Sequence, residues 1–158
     1  MATVEHSVRV ECGSSSDIDA VMQVMDAAFG DRFGEAWTRS QLGGILPMAG
    51  VSLILARDPN DGTVGFSLFR TVADESELLL IAVAPGQQRR GVGRVLLDDF
   101  LHRARNESVS RVHLEVRDGN SALRLYRDAG FSPVGRRRNY YHAPDGQRFD
   151  AVTLACHL

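Results

Sequence analysis

Lysine is absent from this chain, and all 18 of its basic residues are arginine. That excludes a Walker-type phosphate loop, which needs a lysine after its last glycine. Genomic base composition is a sufficient reason for the arginine bias, and no function is drawn from it. Cysteine is nearly missing too: Cys12 and Cys156 stand near opposite ends within apolar sequence. That is no disulfide framework or ligand spacing, so both are expected to be reduced, buried packing residues. His6, His102, His113, His142 and His157 show neither catalytic nor metal spacing, and no metal site is expected. The sequence has no apolar segment of membrane length and no signal-peptide pattern, which predicts a cytoplasmic protein without a membrane partner. A net charge of −2 offers no general field for nucleic acid. The one basic run, Arg136-Arg137-Arg138, reads as a solvated strand end, because strand alternation splits it between two faces. Repeats, low-complexity tracts and internal linkers are lacking as well, so the 158 residues are expected to form one domain with a sizeable core.

What is present alternates between strand and helix patterns, which predicts an α/β unit. Val8 to Cys12 alternates as a first strand. Ser16-Asp17-Ile18-Asp19 supplies a cap and an acidic first turn for a helix burying Ile18, Val21, Met22, Met25, Ala28 and Phe29. Glu35 to Leu46 reads as a shorter helix closed by Pro47. Val51 to Arg57 and Thr63 to Thr71, joined by Asp58-Pro59-Asn60-Asp61-Gly62, read as a hairpin. Leu78 to Val83 has no polar alternation and reads as a strand buried on both faces. A helix is expected from near Gly91, with Val92, Leu96 and Phe100 on its apolar stripe. Val109 to Arg117 follows as a strand and Asn120 to Ala129 as a helix ended by Gly130. Val134 to Tyr141 and Phe149 to Cys156 pair around Pro144-Asp145-Gly146.

The segment Pro85-Gly86-Gln87-Gln88-Arg89-Arg90-Gly91-Val92-Gly93-Arg94 joins the buried strand to its helix. The first amides of a helix lack intrahelical partners and, with the dipole, favour an anion. Gly91 and Gly93 let a phosphate approach that backbone without a side chain in the way. A dinucleotide fingerprint would need glycine or a small residue where this chain has Leu96, and its acidic partner is missing. An ordinary strand-to-helix turn is the other reading of these glycines.

Val83-x-Pro85 followed by Gln88-x-x-Gly91-x-Gly93 resembles the acetyl-coenzyme A loop of the GNAT family of N-acetyltransferases. Leu114-Glu115-Val116-Arg117, Asn120, Leu125-Tyr126-x-x-x-Gly130-Phe131, Arg138-Asn139-Tyr140-Tyr141 and Asp145-Gly146 are similar to the branch that acetylates the alanine terminus of bacterial ribosomal proteins. Trp37 with Thr38, Gln41 and Leu42 resembles that branch's Trp-Ser segment. The resemblance implies a GNAT fold, a mixed and mostly antiparallel sheet flanked by helices, filling a single domain over residues 1–158. It implies acetyl-coenzyme A as co-substrate, with backbone groups of Ile81, Ala82 and Val83 along the pantetheine arm and amides from Arg89 to Arg94, that is Arg89, Arg90, Gly91, Val92, Gly93 and Arg94, around the pyrophosphate. The acceptor it implies is a protein N-terminal α-amine, by resemblance the alanine of protein eighteen of the small ribosomal subunit. One departure stands out: the family usually has one more residue between the asparagine and the tyrosine than separates Asn120 from Tyr126. Asn120 therefore reads as helix N-cap, coenzyme contact, or both.

Acetyl transfer to an amine needs a base and gains from an acid at the leaving thiolate. In the resembling branch these are the glutamate and tyrosine standing here as Glu115 and Tyr126. Alternation puts His113, Glu115 and Arg117 on one face of their strand and Val112, Leu114 and Val116 on the other. Tyr126 shares a helix face with the small residues Ala122 and Ala129. An ion pair of Glu115 with Arg117 or another arginine, and plain helix packing of Tyr126, are the structural alternatives. Trp37, Tyr140 and Tyr141 are candidates to line the acceptor groove or to pack in the core. Two other functions remain open: a GNAT enzyme acting on a small-molecule amine or lysine side chain, and a coenzyme-binding module that has lost catalysis. The presence of Glu115 and Tyr126 argues against the second.

Overall fold

A computed structural model of the chain describes residues 8–158; His6 lies outside them. The described residues form one seven-stranded sheet in the order β1-β2-β3-β4-β5-β7-β6. Its strands are β1 (Arg9–Cys12), β2 (Val51–Asp58), β3 (Gly62–Val72), β4 (Glu75–Val83), β5 (Arg111–Arg117), β6 (Ser132–His142) and β7 (Arg148–His157). Every neighbouring pair is antiparallel except β4 and β5, which run parallel. Helices α1 (Ile18–Phe29) and α2 (Arg39–Ile45) cover one face, while α3 (Val92–Asn106) and α4 (Leu123–Asp128) cover the other. The sheet is therefore mixed, mostly antiparallel and flanked by helices, as the resemblance implies. Among the described residues no helix is long and apolar enough to cross a membrane.

The strand letters assign the two cores by alternation. Leu53 and Leu55 of β2 join Val21, Val24, Met25 and Leu42 under α1 and α2. Ile54 and Ala56 point the other way, toward Leu96, Leu97 and Phe100 of α3. Each fully buried side chain of this size contributes about 1.5–3 kcal/mol by leaving water.

Alternation breaks on β4, and the site depends on that break. Leu68 pairs with Leu80 and Phe69 with Leu78, so Leu79 is an extra residue on its strand. Such a bulge reverses the face on which later side chains fall. Leu78 packs with the α3 core, whereas Leu80 and Ala82 pack with the α1 core. The run is thus not sealed on both faces as its letters suggest. Leu79 and Ile81 are only half-buried, because they border an open cleft.

Three further expectations are corrected. Helix α2 starts at Arg39 instead of Glu35, because Thr38 and Gln41 form a reciprocal capping box there. Helix α4 starts at Leu123, three residues late. Cys12 is exposed and Cys156 half-exposed, both as free thiols; Cys12 sits on β1, at one edge of the sheet that the described residues form.

Candidate active site

The parallel pairing of β4 and β5 lasts only from Glu75–Arg111 to Leu78–Leu114. Beyond that point the strands separate, and a cleft of about 590 Å³ opens between them. From Leu79 onward β4 has a strand partner on its β3 side alone. The backbone edge facing the fork is therefore free to bond an extended ligand.

At the far end of β4 the chain makes a short 3₁₀ helix, Pro85–Arg90, and enters α3 through Gly91 at φ 74°. That left-handed conformation accounts for a glycine there. The first helical bond runs from the Val95 amide to the Gly91 carbonyl at 3.1 Å. The amides of Val92, Gly93 and Arg94 precede it and point out of the helix start, which suits an anion. Of this loop Gln88 and Gly93 line the cleft, whereas Arg90, Gly91, Val92 and Arg94 do not. Arg90 instead braces the loop, reaching the buried Asp58 of the β2–β3 turn at 2.9 Å and bonding Gln87. Backbone amides of Asn60 and Asp61, together with Arg90, hold the Asp58 carboxyl below the usual range. Arg94 pairs along its own helix with Asp98 at 3.4 Å. The guanidinium groups of Arg90 and Arg94 are thus engaged within the protein, and the helix-start amides remain to meet an anion. Free amides at a helix start beside the open edge of β4 fit an anionic head carrying an amide-bearing arm.

Glu115 stands where the fork opens, on the β5 face opposite the buried Val112, Leu114 and Val116. Its side chain is 15% exposed and pairs with Arg137 Nε of β6 at 2.6 Å. The ion-pair alternative is thus realised by Arg137, while Arg117 turns to Glu35. Tyr126 of α4 is 5% exposed, its ring edge-on to Phe131 with centroids 5.9 Å apart. Burial, followed by the fields of Tyr141 and Glu35, pushes its hydroxyl well above the usual tyrosine range. The hydroxyl is neutral at physiological pH.

Tyr140 and Tyr141 reach the cleft through a distortion of β6. Arg137 pairs with Ala151 and Tyr141 with Phe149, so Arg138, Asn139 and Tyr140 face the single residue Asp150. Asn139 takes φ 53°, with its amide bonded to the Asp150 carboxylate at 3.0 Å. The two rings meet edge-to-face at 5.0 Å, and the Tyr141 hydroxyl donates to the Glu115 carbonyl at 3.5 Å. Burial and the Glu115 carboxylate raise the Tyr140 hydroxyl; burial and Glu35 raise that of Tyr141. Trp37 lines the same cleft from the stretch before α2.

The cleft thus gathers Trp37, Ile81, Ala82, Val83, Gly93, Glu115, Asn120, Tyr126, Tyr140 and Tyr141. Asn120 forms a turn two residues ahead of the α4 cap, its Oδ1 accepting the Ala122 amide at 2.8 Å. Its Nδ2 donates to Glu35 at 2.8 Å. Sequence reasoning missed Glu35, a cleft carboxylate placed there by the loop before α2 and paired with Arg117 Nε at 3.1 Å.

The fold is that of an N-acyltransferase, and the chain belongs to the GNAT family: the acetyltransferase (GNAT) domain profile matches residues 21–143. Enzymes of this family are acetyl-CoA-dependent N-acetyltransferases. Among named relatives, the [ribosomal protein bS18]-alanine N-acetyltransferase of Salmonella typhimurium is 34% identical over 143 residues, covering 90% of this chain and 92% of that one. The protein of the same name from Haemophilus influenzae is 41% identical over 99 residues, covering 63% of this chain and 68% of the relative. The crystal structure of the ribosomal-protein-S18-alanine N-acetyltransferase from Escherichia coli superposes with a TM-score of 0.85 at 28% identity, covering 96% of this chain and 94% of that one.

Proposed function

We propose that this protein transfers acetyl from acetyl-CoA to the α-amine of a protein N-terminus, with the N-terminal alanine of ribosomal protein bS18 as acceptor. The observation that carries the reading is the fork itself: Glu115 and Tyr126 line one cleft with the free edge of β4, Gly93 and the Tyr140-Tyr141 pair. The names of the relatives supply the acceptor.

When bound, acetyl-CoA supplies an activated thioester. Backbone groups of Ile81, Ala82 and Val83 hold its arm, and the amides between Arg89 and Arg94 hold its pyrophosphate. Glu115 takes the proton from the incoming ammonium, and the bared amine attacks the thioester carbonyl directly, its new C–N bond replacing the C–S bond that breaks. An α-amine has an ordinary pKa of about 8 against about 10.4 for lysine, so at neutral pH baring a lysine costs about 3 kcal/mol more. A single carboxylate base therefore suits the α-amine better. Tyr126, kept neutral by burial, gives its proton to the departing sulfur. Trp37, Tyr140 and Tyr141 wall the acceptor's first residues.

Peptides beginning with Ala, Ser or Met, incubated with the protein and acetyl-CoA and read by mass spectrometry, test the reading. Acetyl on the α-amine of the alanine peptide is expected. Modification of lysine side chains or small amines alone would replace it with the alternative acceptor. Coenzyme binding without any acceptor modified would favour a non-catalytic module.

A further inference from the structure

Glu35 belongs to the stretch between α1 and α2, yet its carboxylate is nearly buried in the cleft wall, 10% exposed. Both of its oxygens are engaged. Oε1 accepts from Arg117 Nε at 3.1 Å, and Oε2 accepts from Asn120 Nδ2 at 2.8 Å. Arg117 is itself fixed, its guanidinium 3.6 Å from the Phe33 ring centroid and 5.8 Å from that of Phe149. Asn120 accepts the Ala122 amide at 2.8 Å, and the Ala122 carbonyl accepts the amide of Tyr126. The path of the loop is equally constrained. Gly34 has φ 72°, and a Cβ there would lie 2.1 Å from the His142 carbonyl oxygen. A buried charge held by two donors, one of them a ring-stacked cation, keeps one geometry, since breaking it strands a charge away from water.

We infer that Glu35 is a positioning residue for acetyl transfer: through Asn120 it fixes the first turn of α4, and so the Tyr126 hydroxyl, while tying the acceptor-side loop to the end of β5. The inference rests on the assignment of Tyr126 as the acid. The field of Glu35 also reaches the Tyr126 and Tyr141 hydroxyls. The cluster's hydrogen bonds reach Tyr126 through the backbone of its helix, so it acts on turnover.

The test is a kinetic cycle on the full chain with Glu35→Gln, Tyr126→Phe and the double variant, using an alanine-initiated peptide and acetyl-CoA. Glu35→Gln is expected to lower kcat about 10- to 100-fold, the scale of a small misplacement of a reacting group. The KM for acetyl-CoA should stay within about twofold, because the Glu35 carboxylate bonds Arg117 and Asn120 and, among the described residues, none of β4 or of the start of α3. The double variant should be no slower than Tyr126→Phe. Asn120→Ser provides a second route should Glu35→Gln fail to fold: serine can still cap the turn but cannot reach Glu35. It should reproduce the same kcat loss. A loss in the double variant equal to the product of the single losses would overturn the positioning role, as would wild-type kcat in Asn120→Ser. An unchanged kcat in Tyr126→Phe would instead overturn the acid assignment.

Discussion

Glu115 and Tyr126 meet at the cleft from opposite chemical situations. Glu115 is paired at 2.6 Å with Arg137, a side chain 63% exposed. Exposed pairs contribute about 0–1 kcal/mol, so an acceptor ammonium displaces Arg137 at a cost of no more than about fivefold in affinity. Arg137→Ala is accordingly expected to lower the KM for peptide by up to about fivefold with little change in kcat, measured by initial rates. Glu115→Gln and Tyr126→Phe should each lower kcat by about 10²–10⁴ while calorimetry finds acetyl-CoA binding unchanged. Because burial raises Tyr126 above the ordinary value of about 10, it should add no falling limb to the kcat profile below about pH 10. The place of both in the cleft was legible in the sequence, since strand alternation turns Glu115 away from the apolar face and the Leu-Tyr-x-x-x-Gly-Phe element marks Tyr126. Glu35 was not, because its partners lie 82 and 85 residues away and no local pattern encodes such a distance.

The two glycines at the start of α3 do different work. Gly91 holds φ 74°, and alanine there should destabilise the fold by about 1 kcal/mol in chemical denaturation. Gly93 is helical, and a Cβ there would make only ordinary contacts, 3.5 Å from Leu125. Gly93→Ala should therefore leave stability unchanged or raise it by up to about 1 kcal/mol, while weakening acetyl-CoA binding. That split separates a phosphate seat from an ordinary turn. The strands and long helices were legible because period 2 and period 3.6 are written in apolar letters. The bulges at Leu79 and at Arg138–Tyr140 were not. An unbroken apolar run reads the same whichever face each residue takes, and the β6 bulge depends on a bond to Asp150 on another strand. The capping box at Thr38 and Gln41, three residues apart, is local and was legible.

Across the molecule, the sheet is one layer between two helical cores, opened where β4 and β5 part. All three tyrosines have raised hydroxyl pKa values, and the chain contains no lysine. A group whose folded pKa exceeds its unfolded value contributes stability that is full below the unfolded pKa, about 10 for tyrosine, and lost as pH rises toward the folded value. Alkaline destabilisation should therefore begin near pH 10, without the lysine ionisation that usually overlaps it. Tyrosinate absorbance and circular dichroism should change together, and Tyr126→Phe should move both upward. Tyr140 is 47% exposed and can ionise in the folded protein; more than one tyrosinate per chain near pH 10 ahead of any structural change would contradict the burial of Tyr126 and Tyr141. The absence of lysine also removes side-chain self-acetylation from any assay of this enzyme. The most direct measurement is tandem mass spectrometry of a single peptide carrying an N-terminal alanine and an internal lysine, after incubation with the protein and acetyl-CoA. Acetyl on the alanine α-amine, lost in Glu115→Gln, is the predicted result; acetyl on the lysine alone would contradict the account.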